Sequence, residues 1–165
     1  MNFFLKLFKL LPPELAHSFS LNSLKLLYKL KILRLFYRKT YKDENVSFLG
    51  MQFKNRLGTA AGLDKNGDYI DALGELGFGF LEVGTVTPLA QSGNRKPRVF
   101  RNYKENSIIN RLGFNNKGVD YLVNNLKNRN FKGVLGVNIG PNKDSIGDDR
   151  INDYLICLKK VNKHA

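Results

Sequence analysis

The chain has 165 residues, the length of one domain, and its 42% hydrophobic content suits a packed core while excluding collagen, coiled coil and general disorder. A single cysteine, Cys157, excludes an intramolecular disulfide framework, and with only His17 and His164 beside it no metal site is expected. The formal net charge is +13 but unevenly spread: residues 1–42 hold nine Lys/Arg and one acid, Glu14, and no nucleic-acid motif follows, so nucleic acid is not an expected partner.

Residues 2–11 (NFFLKLFKLL) predict a short apolar-basic helix ended by Pro12-Pro13. Pro13 suits the first turn of a second helix, predicted to run to about Arg38. Leu15, Phe19, Leu26, Leu30, Leu33 and Tyr37 fall near one stripe of it, with Lys and Arg around them. No window reaches the ~20 apolar residues needed to span a bilayer. Lysines interrupt the apolar run and no small-residue cleavage site follows, which argues against a signal peptide. Residues 1–42 therefore read as an amphipathic membrane-associating segment; the alternative is a helix pair packed on its own domain.

Past the charged link at residues 42–45 the pattern changes. Val46–Phe48 and Met51–Phe53 flank Leu49-Gly50 as a hairpin. From Leu57 strands and helices alternate: a strand over Leu57–Ala61, a helix over Asp68–Leu76, a strand over Phe80–Val83, a helix over Gly118–Asn128, a strand over Val134–Ile139 and a helix from Ile151 onward. Three βα units in series predict an α/β fold with a parallel sheet. The excursion Thr87–Asn116 is too long for a plain connection, which marks it as functional, and Arg98–Asn102 can pair with Ser107–Asn110 inside it. Cys157 lies in an apolar-periodic stretch (Tyr154, Leu155, Cys157, Leu158) and reads as a buried structural thiol.

Ligand-facing residues in such a sheet gather at the C-terminal ends of its strands. Those ends carry Ala61-Gly62-Leu63-Asp64-Lys65, Gly84-Thr85-Val86-Thr87 and Asn138-Ile139-Gly140-Pro141-Asn142-Lys143, and the excursion adds Asn110-Arg111-Leu112-Gly113-Phe114-Asn115-Asn116. Small residues let backbone lie flat against a large planar ligand. The set offers neutral amides and one cation, Lys65, suited to a flat heterocycle with imide-like edges and a carboxylate. It contains no phosphate loop and no evident acid/base pair.

The segments AAGLDKNG, FGFLEVGTVTP, KPRVFR, INRLGFNNKG and VLGVNIGPNKD occur in this order. With the N-terminal helix pair, they make the chain resemble the quinone-dependent (class 2) dihydroorotate dehydrogenases along essentially its whole length. The resemblance implies oxidation of dihydroorotate to orotate in pyrimidine biosynthesis, with FMN as cofactor and a membrane quinone as final acceptor. It implies that Ala61, Gly62, Leu63, Asp64 and Lys65 line the flavin, Lys65 through its ammonium, and that Thr85 and Asn138 hydrogen-bond it. On the substrate side it implies Lys65, Asn110, Arg111, Leu112, Gly113 and Phe114, with Asn110 on the pyrimidine amide edge and the backbone of Gly113 and Phe114 on the carboxylate. Asn115 and Asn116 compete with Asn110 for that role. Thr85 could instead satisfy local backbone, and Asn138 could cap a turn. Arg111 is alternatively a partner for a carboxylate such as Glu82, and Lys143 and Asp144 are either solvated or ligands.

The family fold is a (β/α)8 barrel of ~250 residues. Three βα units, preceded by the two-helix segment, make residues 43–165 its truncated N-terminal part, and the family's catalytic serine base is expected beyond Ala165. The chain alone is expected to be marginally stable, prone to associate and inactive. The alternative function is a non-enzymatic membrane-surface or interaction remnant of that fold. Without a clear transit peptide after Met1, the expected location is peripheral, on the cytoplasmic face of a bacterial inner membrane.

Overall fold

The computed structural model of the chain describes residues 8, 10–36 and 45–165. Most of the expected helix over residues 2–11, and the expected boundary between residues 42 and 43, lie outside them. Helix α1 spans Pro13–Lys29. Pro13 opens it where a backbone N–H has no intrahelical partner to lose, and Glu14 and Lys29 match the dipole at its two ends. The single helix expected to reach Arg38 is instead broken. Lys31 turns left-handed (φ 59°), its N–H donates to Tyr28 O at 2.9 Å, and Ile32 N–H donates to Leu27 O at 3.0 Å. That is a Schellman ending at a position where sequence normally signals with glycine, which is why it was illegible. The short helix α2 follows at Leu33–Phe36.

Strands β1 (Val46–Phe48) and β2 (Met51–Phe53) form the expected hairpin. The expected strand at Leu57–Ala61 is reduced to one parallel bridge, Gly58 to Phe80, flanked by Gly79 N–H donating to Leu57 O and Thr59 N–H to Phe80 O. A Cβ on Gly58 would lie 2.2 Å from the Phe80 ring, so the close approach requires glycine. Helix α3 covers only Ile70–Gly74 of the expected Asp68–Leu76. Strand β3 runs further than expected, Phe80–Val86, and pairs in parallel with β6 (Val134–Ile139). Between them in sequence lie the hairpin β4 (Val99–Asn102) and β5 (Ser107–Asn110), then helix α4 (Val119–Lys127). Helix α5 spans Asp148–Val161, starting earlier than expected.

One face of the β3–β6 pair packs against the helices. Leu81, Val83 and Val86 of β3 and Leu135 of β6 meet Leu21 of α1, Ile70 and Leu73 of α3, Val119, Leu122 and Leu126 of α4, and Cys157 and Val161 of α5. Burial of such side chains stabilises by ~1.5–3 kcal/mol each before entropy is charged against it. Glu82 and Thr85 fall between the buried positions, which keeps their side chains clear of the core. Cys157 is fully buried, as its spacing predicts. Helix α1 packs through Ala16 and Leu21, while Leu15, Phe19, Leu26 and Leu30 of the expected apolar stripe stay more than half exposed.

Candidate functional site at the strand ends

Segment 61–69 is held to the end of β3 by a two-way backbone clasp. Gly62 N–H donates to Gly84 O at 2.8 Å, and Gly84 N–H donates to Asp64 O at 2.9 Å. Gly84 sits at φ 108°, and a Cβ there would lie 2.3 Å from Asn138 O, so only glycine fits between the strand ends. The Asp64 side chain turns inward. Its carboxylate accepts the amides of Asn66, Asp68 and Tyr69 at 3.3, 3.0 and 2.7 Å and shapes the turn into α3. Burial pushes this carboxyl up despite the three amide donors. Asp64 can thus face a ligand through backbone alone.

Lys65 points the other way, its Nζ donating to Gly62 O at 3.1 Å. Burial pushes its ammonium below the usual lysine range, the negative Glu14 opposing and the positive Arg98 adding to that shift. Above Gly62 there is open space: no atom comes within 4 Å of where a Cβ would stand. A cleft of ≈ 810 Å³ runs from here between α1 and the β4–β5 hairpin. Gly62, Leu63, Asp64, Lys65, Asn110, Leu112 and Asn115 line it together with Phe8, His17, Leu21, Val99, Arg101 and Ile108, and His17 stands beside Leu63 and Lys65.

Thr85, Asn138 and Phe114 form a second group. Thr85 donates its hydroxyl to Asn138 Oδ1 at 2.7 Å, and Asn138 Nδ2 donates to Glu82 Oε1 at 3.1 Å. Glu82 therefore has Asn138 as its partner, not Arg111. The Phe114 ring lies 3.7 Å from where a Cβ on Gly140 would stand.

Side chains of the excursion fix the 110–116 segment. Gln91 and Asn116 exchange backbone hydrogen bonds at 3.0 Å, and Gln91 Nε2 donates to the carbonyls of Gly113 and Phe114 at 3.1 and 3.3 Å. Gly113 and Phe114 both take left-handed conformations (φ 72° and 52°), and their amides make no hydrogen bond to another described residue. Two such amides are ready donors for an anion. Asn110 Oδ1 accepts Leu112 N–H at 3.4 Å.

The three competing asparagines separate. Asn116 is buried and wholly structural: it joins Thr87, Phe114 and Gly118. Asn115 Oδ1 is buried without a partner among the described residues, beside Asn110 on the cleft. Asn110 is exposed on the cleft wall. Arg111 is not brought to the cleft. It donates to Pro97 O at 3.1 Å, lies 5.9 Å over the Phe100 ring, and lines a separate depression with Arg95 and Lys96. Lys143 presents its backbone N–H to Gln91, and its side chain is exposed.

Sequence reasoning missed His17 and Arg101 in the cleft. Burial and the charge of Lys65 push the His17 imidazole below the usual histidine range, with Glu14 and the Leu63 carbonyl opposing. Their only signal was one of two histidines in an amphipathic helix and an arginine in the unassigned KPRVFR segment.

Fold and site together define an α/β protein that presents open backbone at Gly62 beside Lys65, next to the C-terminal part of a parallel strand. A profile of the family described as dihydroorotate dehydrogenase matches residues 44–165, and the chain belongs to that family. It is similar to the protein named dihydroorotate dehydrogenase (quinone) from Buchnera aphidicola subsp. Schizaphis graminum, 53% identical over 97% of this chain and 47% of that protein. The likewise named protein from Pseudoalteromonas atlantica is 56% identical over 92% of this chain and 45% of its own length. Ligand-free DHODH from Eimeria tenella superposes with a TM-score of 0.75 at 36% identity, covering 93% of this chain and 43% of that structure. The chain spans about half the length of the curated relatives it matches.

Proposed function

We propose that these residues form the flavin face and one substrate wall of an enzyme that oxidises dihydroorotate to orotate with FMN and a quinone acceptor. The observation that carries this reading is the convergence of the half-buried Lys65 ammonium, the open backbone at Gly62 and the residues Asn110, Leu112 and Asn115 on one cleft. The family and the relatives' names support it.

The residues present fit FMN. The open face above Gly62 admits a planar ring, and Lys65, Thr85 and Asn138 supply a cation and hydrogen-bonding groups around it. When bound, the flavin supplies the two-electron acceptor for the substrate. Lys65 holds anionic groups by a charge-assisted hydrogen bond, the amides of Gly113 and Phe114 receive the substrate carboxylate, and Asn110 meets the amide edge. None of these side chains is given the role of the base that takes the substrate proton.

The other residues that line the cleft suit a quinone. Phe8, Leu21, Val99 and Ile108 offer apolar wall, and His17 and Arg101 offer polar groups to its oxygens. The exposed Leu15, Phe19, Leu26 and Leu30 suit contact with a lipid surface, from which a quinone would enter. None of the described helices is long and apolar enough to cross a membrane. We place the protein at the cytoplasmic face of a bacterial inner membrane and read its core as the first units of a (β/α)8 barrel, a reading supported by the parallel pairing of β3 with β6 and by the parallel bridge from Gly58 to Phe80.

Titrating the full chain with orotate and with FMN, followed by calorimetry and flavin fluorescence, tests the reading. Orotate binding that Lys65→Ala weakens by about tenfold or more in a folded chain is expected. A folded chain that binds neither ligand would overturn it.

A further inference from the structure

Among the described residues Arg98 is the one buried cation, at 6% exposure. Its Nε and Nη2 donate to Glu14 Oε1 at 3.1 and 2.8 Å, and its Nη1 donates to the carbonyls of Ser92 and Asn94 at 2.6 and 3.0 Å. Glu14 stands in the first turn of α1, so the guanidinium ties that helix to the 92–94 loop. The loop in turn holds the substrate segment: Asn94 N–H donates to Leu112 O at 3.0 Å, and Asn94 Nδ2 donates to Arg111 O at 2.7 Å. There is no slack between them. A Cβ on Gly93 would lie 2.3 Å from Leu112 O and 2.9 Å from Arg98 Nη1.

Arg98 is buried and Glu14 partly exposed, so removing the Glu14 carboxylate strands the guanidinium away from solvent, which sets the pair apart from a weak surface one. Helix α1 also carries the exposed apolar face, so a lipid surface acts on the same element that Glu14 anchors.

We propose that Arg98 is a positioning residue through which α1 sets the substrate segment: seating α1 on a lipid surface orders residues 110–114 and tightens orotate binding. This rests on the reading of that segment as the substrate wall. By linkage the effect runs both ways, orotate tightening attachment to lipid by the same factor. Glu14 and Arg98 need not touch either ligand to do this.

The test uses the full chain with vesicles of phosphatidylethanolamine and phosphatidylglycerol, following hydrogen exchange at the amides of Asn94, Arg111 and Leu112 together with orotate affinity. In the wild type, saturating vesicles are expected to slow those amides and tighten orotate by about fivefold or more. Glu14→Gln should bind vesicles and lose both responses, while Glu14→Asp, which keeps the charge, should retain part of them. A purely structural ion pair would lower overall stability without making the vesicle response depend on Glu14. Should Glu14→Gln not fold, Arg98→Lys serves, because lysine cannot bridge the carboxylate and both carbonyls. Amides unmoved by vesicles in the wild type, or equally slowed in Glu14→Gln, would overturn the coupling. Amides that respond in a chain that binds no orotate support the coupling and count against the substrate reading.

Discussion

Thr85 donates its hydroxyl to Asn138 Oδ1 at 2.7 Å, joining two strand ends that are 53 residues apart in sequence. Two of the residues that the family resemblance assigns to the flavin are thus hydrogen-bonded to each other, and Glu82 fixes the Asn138 amide by accepting its Nδ2–H. A rotor and an amide that would otherwise be free are held in one arrangement, so little ordering remains to be done when a ligand arrives.

Replacing Lys65 and replacing Asn110 should have different consequences. Lys65→Ala removes the cation beside the open backbone of Gly62 and is expected to weaken orotate binding by about 1.5–3 kcal/mol, with a loss of flavin affinity as well. Asn110→Ala is expected to cost about 1 kcal/mol on orotate alone. Calorimetric titration of both variants with both ligands checks this; equal losses of flavin in the two would contradict the assigned roles.

The pH dependence of orotate binding follows from Lys65. Its folded-state pKa lies below 10.5 because burial disfavours the ammonium. The charged form is the one that binds a carboxylate, so affinity should hold at neutral pH and fall as pH rises through that lowered pKa, earlier than a solvated lysine would dictate. In the ligand-free chain the sign is opposite. The unfolded state keeps the Lys65 proton more tightly, so this group's contribution to stability rises with pH between the folded pKa and 10.5. Orotate titrations across pH 7–11 measure the first effect, and urea unfolding over the same range the second.

Asn116→Ala should be among the most damaging single changes to the substrate segment. Its Oδ1 accepts the amides of Thr87 and Gly118 at 3.3 and 2.8 Å, and its Nδ2 donates to Thr87 Oγ1 and Phe114 O at 2.8 and 2.7 Å. Truncation leaves buried partners unsatisfied, for a loss of about 3 kcal/mol. Asn116→Asp keeps the acceptors and loses the donors, so it should fall in between. The midpoint of urea unfolding at constant m-value reads both.

Cys157 should be chemically silent in the native chain. Burial pushes its thiol up to about 11, and the side chain is inaccessible. A disulfide reagent at pH 8 is expected to label it only at the rate of unfolding, with labelling accelerating in urea. Rapid labelling of the folded chain would show that α5 does not pack on β3 as described.

The α/β alternation, both hairpins, the span of β6, the buried thiol and the membership of the family were all legible in the sequence. They depend on local periodicity, turn residues and short motifs, and those act over a few residues. Gly118 and Asn128 bounded α4 for the same reason. Tertiary structure alone decided the rest. It shrank the Leu57–Ala61 strand to one bridge, because the glycine there serves the Phe80 ring rather than a ladder. It broke the N-terminal helix at Lys31, where no glycine marked the stop. It buried the side chain of Asp64, sent Arg111 away from the cleft, gave Glu82 to Asn138, and brought Glu14 to Arg98 across 84 residues. Which residues share a motif is written along the chain; where each polar side chain points is set by which distant group can satisfy it once water is gone.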